Sequence, residues 1–139
     1  AEIESVSIIL SYAHYTLINT ALKRYMDIFE SNHVDVINAS PFAMGLLTQN
    51  NCPEWHPYPF KKGLNKAIDI LTEKHIYIEE HAFKFALSQQ FFPSSVTGVS
   101  SLKELDQLLQ WHSEITHYDH TVIESFMSAF NDVSWDSKS

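Results

Sequence analysis

The amino-acid sequence predicts an α/β protein on a parallel sheet, forming part of a (β/α)8 barrel whose remaining strands lie upstream of Ala1. Three observations lead there. Short β-rich runs at Ser5 to Ser11, Val34 to Ala39 and Ser94 to Val99 are separated by helical patterns, and strands joined through helices pair in parallel. Three strands alone would leave both sheet edges unpaired, an arrangement that invites further strands. A right-handed series of such units closes into a barrel of about 250 residues, so 139 residues amount to roughly half of one.

Composition fits one folded domain. With 45% apolar and 13% aromatic residues the chain can bury a core, expected over residues 1–130, with 131–139 as a polar tail. A net charge of −8 opposes binding to a phosphate backbone, which excludes nucleic acid as a partner. The single Cys52 cannot close an intramolecular disulfide. The longest apolar run near the start is Ile8-Ile9-Leu10, which predicts neither a signal peptide nor a membrane span and leaves a cytoplasmic location as the expectation.

The elements follow in order. "SVSIILS" reads as a buried parallel strand. Thr16 is a candidate N-cap for a helix in which Ile18, Leu22, Tyr25, Met26 and Phe29 form the apolar face. "VDVINA" is the second strand, stopped by Pro41. Residues 49–62, "QNNCPEWHPYPFKK", carry three prolines and predict a long loop. Leu64, Ala67, Ile68 and Leu71 then define one helix, and Ile78, Ala82, Phe85 and Ala86 a second. After Pro93, "SSVTGV" is the third strand. Ser101 with Glu104 forms a capping-box pattern ahead of a helix bearing Leu102, Leu105, Leu108 and Leu109. A last helix over Thr121 to Phe130 is expected to bury Val122, Phe126, Ala129 and Phe130.

Four stretches, "LSYAHYTLIN", "INASPFAMGLLT", "PEWHPYP" and "VTGVSSLKELDQL", together resemble the aldo-keto reductases, within the branch of sugar 1-dehydrogenases that includes L-galactose and D-arabinose dehydrogenases. The resemblance spans most of residues 5–110. It implies that the three strands are the sixth to eighth of the barrel and that the chain is its cofactor-binding, C-terminal half. It also implies a nicotinamide dinucleotide, with Ser40, Phe42 and Met44 at the pyrophosphate and Gly98, Ser100, Ser101 and Glu104 at the adenosine end. The turn chemistry is consistent with that. Pro41 fixes φ and starts the turn, and Gly45 lets the backbone fold closely. Backbone amides and the Ser40 hydroxyl would donate to phosphate, and the helix opened by Ser101 would favour an anion. Glu104 stands where NADP-preferring relatives often place an arginine, so a carboxylate here points to NAD over NADP.

The family's catalytic Asp, Tyr, Lys and His belong to the first half of the barrel, and no residue of this sequence takes the proton-donor role. Tyr12, Tyr15 and His14 lack a matched lysine and aspartate. The alternative to a dehydrogenase half is a catalytically inactive half-barrel acting as a binding or assembly module. Its uncovered sheet would self-associate. Trp55 and His56 are substrate-side candidates on the proline-rich loop, with a proline-stiffened packing loop as the competing reading. His112, Glu114, His117 and His120 match no standard metal spacing, so no metal is expected. Cys52 has no base near it in sequence and is expected to be inert.

Overall fold

The computed structural model describes residues 6–50, 52–115 and 118–130; the expected tail at 131–139 and His117 lie outside the described residues. Three strands, β1 (Ile8–Tyr12), β2 (Asp35–Ala39) and β3 (Ser94–Val96), form one parallel sheet in the order β1-β2-β3. Five helices connect and cover them: α1 (Met26–Ser31), α2 (Lys61–Glu73), α3 (Ile78–Leu87), α4 (Leu102–Glu114) and α5 (Glu124–Phe130). Each strand is shorter than, or shifted within, its predicted run, and "SSVTGV" pairs only through Val96 before leaving the sheet.

Register alternation splits the sheet into two unlike faces. Val36 and Asn38 point into the helices and are buried. Ile8, Leu10 and Tyr12 share the other face and stand 57%, 58% and 53% exposed, with Val96 beside them on β3. The edge next to β1 opens into an apolar groove of about 470 Å³ lined by Ile9, Leu10, Tyr12, Tyr25 and Phe29. In a closed barrel these are the positions that would meet the interior and the next strand.

The core lies on the helical side. Leu17, Ile18, Leu46, Leu47, Leu64, Ile78 and Ile123 are fully buried around Tyr15, Tyr58 and Phe85, and each such aliphatic side chain contributes about 1.5–3 kcal/mol of transfer free energy. Tyr15 stacks on Phe85 with ring centroids 5.2 Å apart and meets Phe92 edge-on at 5.0 Å.

Three expectations, the Thr16 N-cap, the buried face of the last helix and the capping box, are corrected by the packing. Thr16 is not an N-cap: it exchanges backbone hydrogen bonds with Asn19, closing a tight loop over residues 13–20, and the helical turn begins only at Ala21. Two buried asparagines hold that loop, Asn19 through its Nδ2 to the Ala13 carbonyl and Asn38 through its Nδ2 to the Tyr15 carbonyl. On α4 only Leu108 is buried, while Leu102, Leu105 and Leu109 are exposed, because among the described residues no strand lies beyond β3 for them to cover. At the last helix a 3-10 turn at Thr121–Ile123 shifts the phase, so Ile123 and Phe126 face the core and Val122 and Ala129 face outward. The capping box is also displaced by one residue. Ser101 Oγ accepts from the Glu104 amide at 3.2 Å, but the Glu104 carboxylate reaches Ser100.

Candidate functional site

The C-terminal ends of all three strands converge on one side of the sheet, where a cleft of about 360 Å³ is lined by Tyr12, Ala39, Ser40, Phe42, Gly45, Val96, Thr97 and Gly98. A second cavity of about 300 Å³ shares Phe42, Gly45 and Gly98 with it and extends to Thr48, Asn50, Glu79, Glu104, Leu108 and Trp111. The two therefore adjoin. Crevices beyond the carboxyl ends of parallel strands are where α/β proteins bind ligands, because loops there can vary without disturbing the sheet.

The turn after β2 has an unusual backbone. Ser40, Ala43, Met44 and Gly45 have φ of 63°, 48°, 56° and 90°, a conformation that L-residues avoid by about 1–2 kcal/mol each. The result is a compact 3-10 turn whose amides are already used. The amide of Ala43 donates to the Ser40 carbonyl at 2.9 Å, that of Met44 to Ser40 Oγ at 3.1 Å, and that of Gly45 to the Phe42 carbonyl at 3.1 Å. Leu46 and Leu47 bond back to Ala43 and Phe42. The expectation that amides of this loop face a phosphate is corrected accordingly. From Ala43 to Leu47 they point into the turn, and Ser40 accepts a hydrogen bond while keeping its own hydroxyl proton to donate.

The adenosine-side candidates behave similarly. The Glu104 carboxylate takes the Ser100 amide at 2.7 Å and the Ser100 hydroxyl at 2.8 Å, and those bonds hold its pKa below the usual carboxylate range. Across the second cavity, the Glu79 carboxylate accepts from the Gln49 amide. A fixed negative charge thus occupies the mouth of α4, where an anion would otherwise be favoured.

Of the residues singled out from sequence, the structure gathers Ser40, Phe42, Gly98 and Glu104 around the paired cavities. Met44 lines neither: its backbone supports the turn. Ser100 and Ser101 line neither cavity: Ser101 is the N-cap of α4 and Ser100 bonds the Glu104 carboxylate. Trp55 is 69% exposed, whereas His56 is 1% exposed with the Ala43 backbone as a polar neighbour, and neither lines the paired cavities. Tyr15 is buried in the core, where burial pushes its phenol up to about 12, and His14 is an exposed neighbour of Ser11. Glu114 pairs with Lys84, at 3.1 Å, rather than with a histidine. Cys52 is buried, and burial pushes its thiol up, away from the thiolate form that reacts. Sequence reasoning missed Trp111. Its signal was the spacing of Glu104, Leu108 and Trp111 at i, i+4 and i+7, one face of a helix.

The sequence pattern of the aldo/keto reductase family matches residues 2–128, and the chain belongs to that family, whose members use nicotinamide cofactors. Among individual relatives, L-galactose dehydrogenase of Arabidopsis thaliana is 36% identical over 105 residues, covering 74% of this chain and 33% of the relative. The fold matches an aldo-keto reductase of Bacillus halodurans in apo and holo forms, with TM-scores of 0.67 and 0.66 at 16% identity, covering 96% of this chain and 46% of that one. The chain thus spans a third to a half of the proteins it matches, and those solved structures carry the barrel fold alone. Among the described residues no helix is long and apolar enough to cross a membrane.

Proposed function

We propose that this chain is the cofactor-binding, C-terminal half of an NAD-dependent aldo-keto reductase that oxidises a sugar at its anomeric carbon. The observation that supports it most directly is the convergence of Ser40 after β2 with Gly98 after β3 on one cleft at the carboxyl ends of the strands. The residues present fit a dinucleotide lacking a further phosphate. The Ser40 hydroxyl can donate to pyrophosphate, and Phe42 and Trp111 offer apolar faces. Glu104 and Glu79 can accept from ribose hydroxyls and would repel a 2′-phosphate. The bound dinucleotide would supply hydride chemistry, while this chain's residues bind and orient it. The proton-relaying Asp, Tyr, Lys and His would come from the N-terminal half of the barrel.

Titration of the 139-residue chain with NAD and NADP tests the binding reading. NAD is expected to bind at least about tenfold more tightly, a difference of about 1.4 kcal/mol. Equal or reversed preference overturns the assignment of Glu104. Aldoses with NAD should give no turnover with this chain alone, and NADH production would refute the placement of the catalytic residues elsewhere. The uncovered apolar face at Ile8, Leu10 and Tyr12 favours a second reading, a half-barrel acting as an assembly module. Under both readings the isolated chain should self-associate. A monodisperse monomer in sedimentation velocity would contradict both on this point, and the presence or absence of dinucleotide binding separates them.

A further inference from the structure

The left-handed run from Ser40 to Gly45 is unfavourable for residues carrying a Cβ, so it persists only where its surroundings over-determine it. Those surroundings are the loop "PEWHPYP". The Pro53 ring lies 3.7 Å from where a Cβ on Gly45 would stand. The His56 amide donates to the Pro53 carbonyl at 3.0 Å, closing a turn that carries the imidazole inward. The ring is 1% exposed, and its Nδ1 accepts from the Tyr58 amide at 3.1 Å, with Tyr58 itself fully buried. Because Nδ1 accepts, the neutral ring carries its proton on Nε2; its other polar neighbour is the Ala43 backbone, at the centre of the left-handed run. From outside, Lys61 Nζ donates to the His56 carbonyl at 2.8 Å and the Glu54 carbonyl at 2.6 Å, fixing the loop against the start of α2.

We infer that His56 is a positioning residue for the Ser40 turn: a buried polar strut between the Tyr58 amide and the Ala43 backbone that keeps the Ser40 hydroxyl at the mouth of the cleft. An apolar side chain of similar size would fill the space but would give the Tyr58 amide no acceptor and would set no polar atom against the Ala43 backbone, whose carbonyl would keep only the Leu46 amide at 3.2 Å. The "PEWHPYP" stretch is thereby assigned a job that reaches the ligand through another loop. The functional meaning rests on the proposed binding of a dinucleotide at this cleft; the structural claim does not.

The experiment compares the 139-residue chain with His56→Leu, which keeps volume and removes both hydrogen-bonding atoms, and His56→Gln, which retains a donor and an acceptor. Hydrogen exchange is read at the amides of Met44, Gly45, Leu46 and Leu47, with Val36 to Asn38 of β2 as internal reference, alongside a calorimetric titration with NAD. His56→Leu should speed exchange of the four turn amides about tenfold, as loss of one buried hydrogen bond predicts, with β2 changed by less than about threefold. His56→Gln should return most of that protection, and NAD affinity should fall in His56→Leu and recover in His56→Gln. Unchanged turn exchange in His56→Leu overturns the proposal. So does an equal rise in β2, which would make His56 a general core residue, or a His56→Gln variant no better than His56→Leu. If the unsubstituted chain fails to bind NAD, the dinucleotide reading falls, and the exchange ratios alone decide the role of His56.

Discussion

Replacing Gly45 and Gly98 separately by alanine separates backbone strain from ligand access at two glycines of the same cleft. At Gly45 the added Cβ would sit 3.7 Å from Pro53 Cγ and Cδ, an ordinary contact, so packing contributes nothing unfavourable. The backbone does: φ is +90°, and an L-residue held left-handed loses about 1–2 kcal/mol. Reduced freedom of the unfolded chain returns about 0.4–1 kcal/mol, so Gly45→Ala should destabilise by about 1 kcal/mol. At Gly98 nothing lies within 4 Å and the backbone is not left-handed. Gly98→Ala should therefore stabilise by about 0.4–1 kcal/mol while placing a methyl in the cleft, weakening any dinucleotide bound there. Urea unfolding followed by far-UV circular dichroism measures the difference. With a slope of about 1.5 kcal/mol/M the two midpoints should be separated by about 1 M. A Gly45→Ala midpoint at or above wild type would refute the strained-turn argument, and a Gly98→Ala loss beyond about 1 kcal/mol would show a constraint on that strand end that the packing does not contain.

Other substitutions probe the polar framework. Ser40→Ala removes the acceptor of the Met44 amide and should lower stability by about 1 kcal/mol in the same urea assay. Asn38→Ala leaves the buried Tyr15 carbonyl without its donor and should lower it by about 1–3 kcal/mol; a loss under half a kcal/mol would mean that the 13–20 loop is held by packing alone. Burial lowers the pKa of both His56 and His81 in the folded chain, so the unfolded state, titrating near 6.5, binds more protons below that pH. Their contribution is complete above about pH 6.5 and is lost as pH falls toward the lowered folded values, at up to ~1.4 kcal/mol per pH unit for each ring. Thermal midpoints from pH 8 to 5 check the sign, and His56→Gln should flatten part of the slope.

Much of this architecture could be read from the sequence because each segment's local preference agrees with its tertiary surroundings. β2 is a β-branched run ended by proline, α3 presents one apolar face, and α4 starts at a serine whose side chain caps it. Residues 17–20, the second half of the 13–20 loop, look like the start of a helix because Ile18, Leu22 and Met26 keep helical spacing. Buried asparagine hydrogen bonds, which periodicity does not register, decide the conformation instead. The leucines of α4 look like a buried stripe in sequence, yet burial depends on a neighbour that these strands do not supply. At the site, residue types were more legible than their use. Ser40, Phe42, Gly98 and Glu104 do line adjoining cavities, but a sequence does not show that the turn's amides are turned inward or that Glu104 already holds Ser100.

The inward-turned amides from Ala43 to Leu47 bear on how any ligand would be held. A loop that completes its own hydrogen bonds before an encounter loses little conformational freedom during it, so its affinity derives from shape already present rather than from a grip that tightens. Nor does it offer a cluster of positive dipoles to a phosphate. Association at this cleft should respond weakly to added salt, with complexes forming and parting on a surface that scarcely moves.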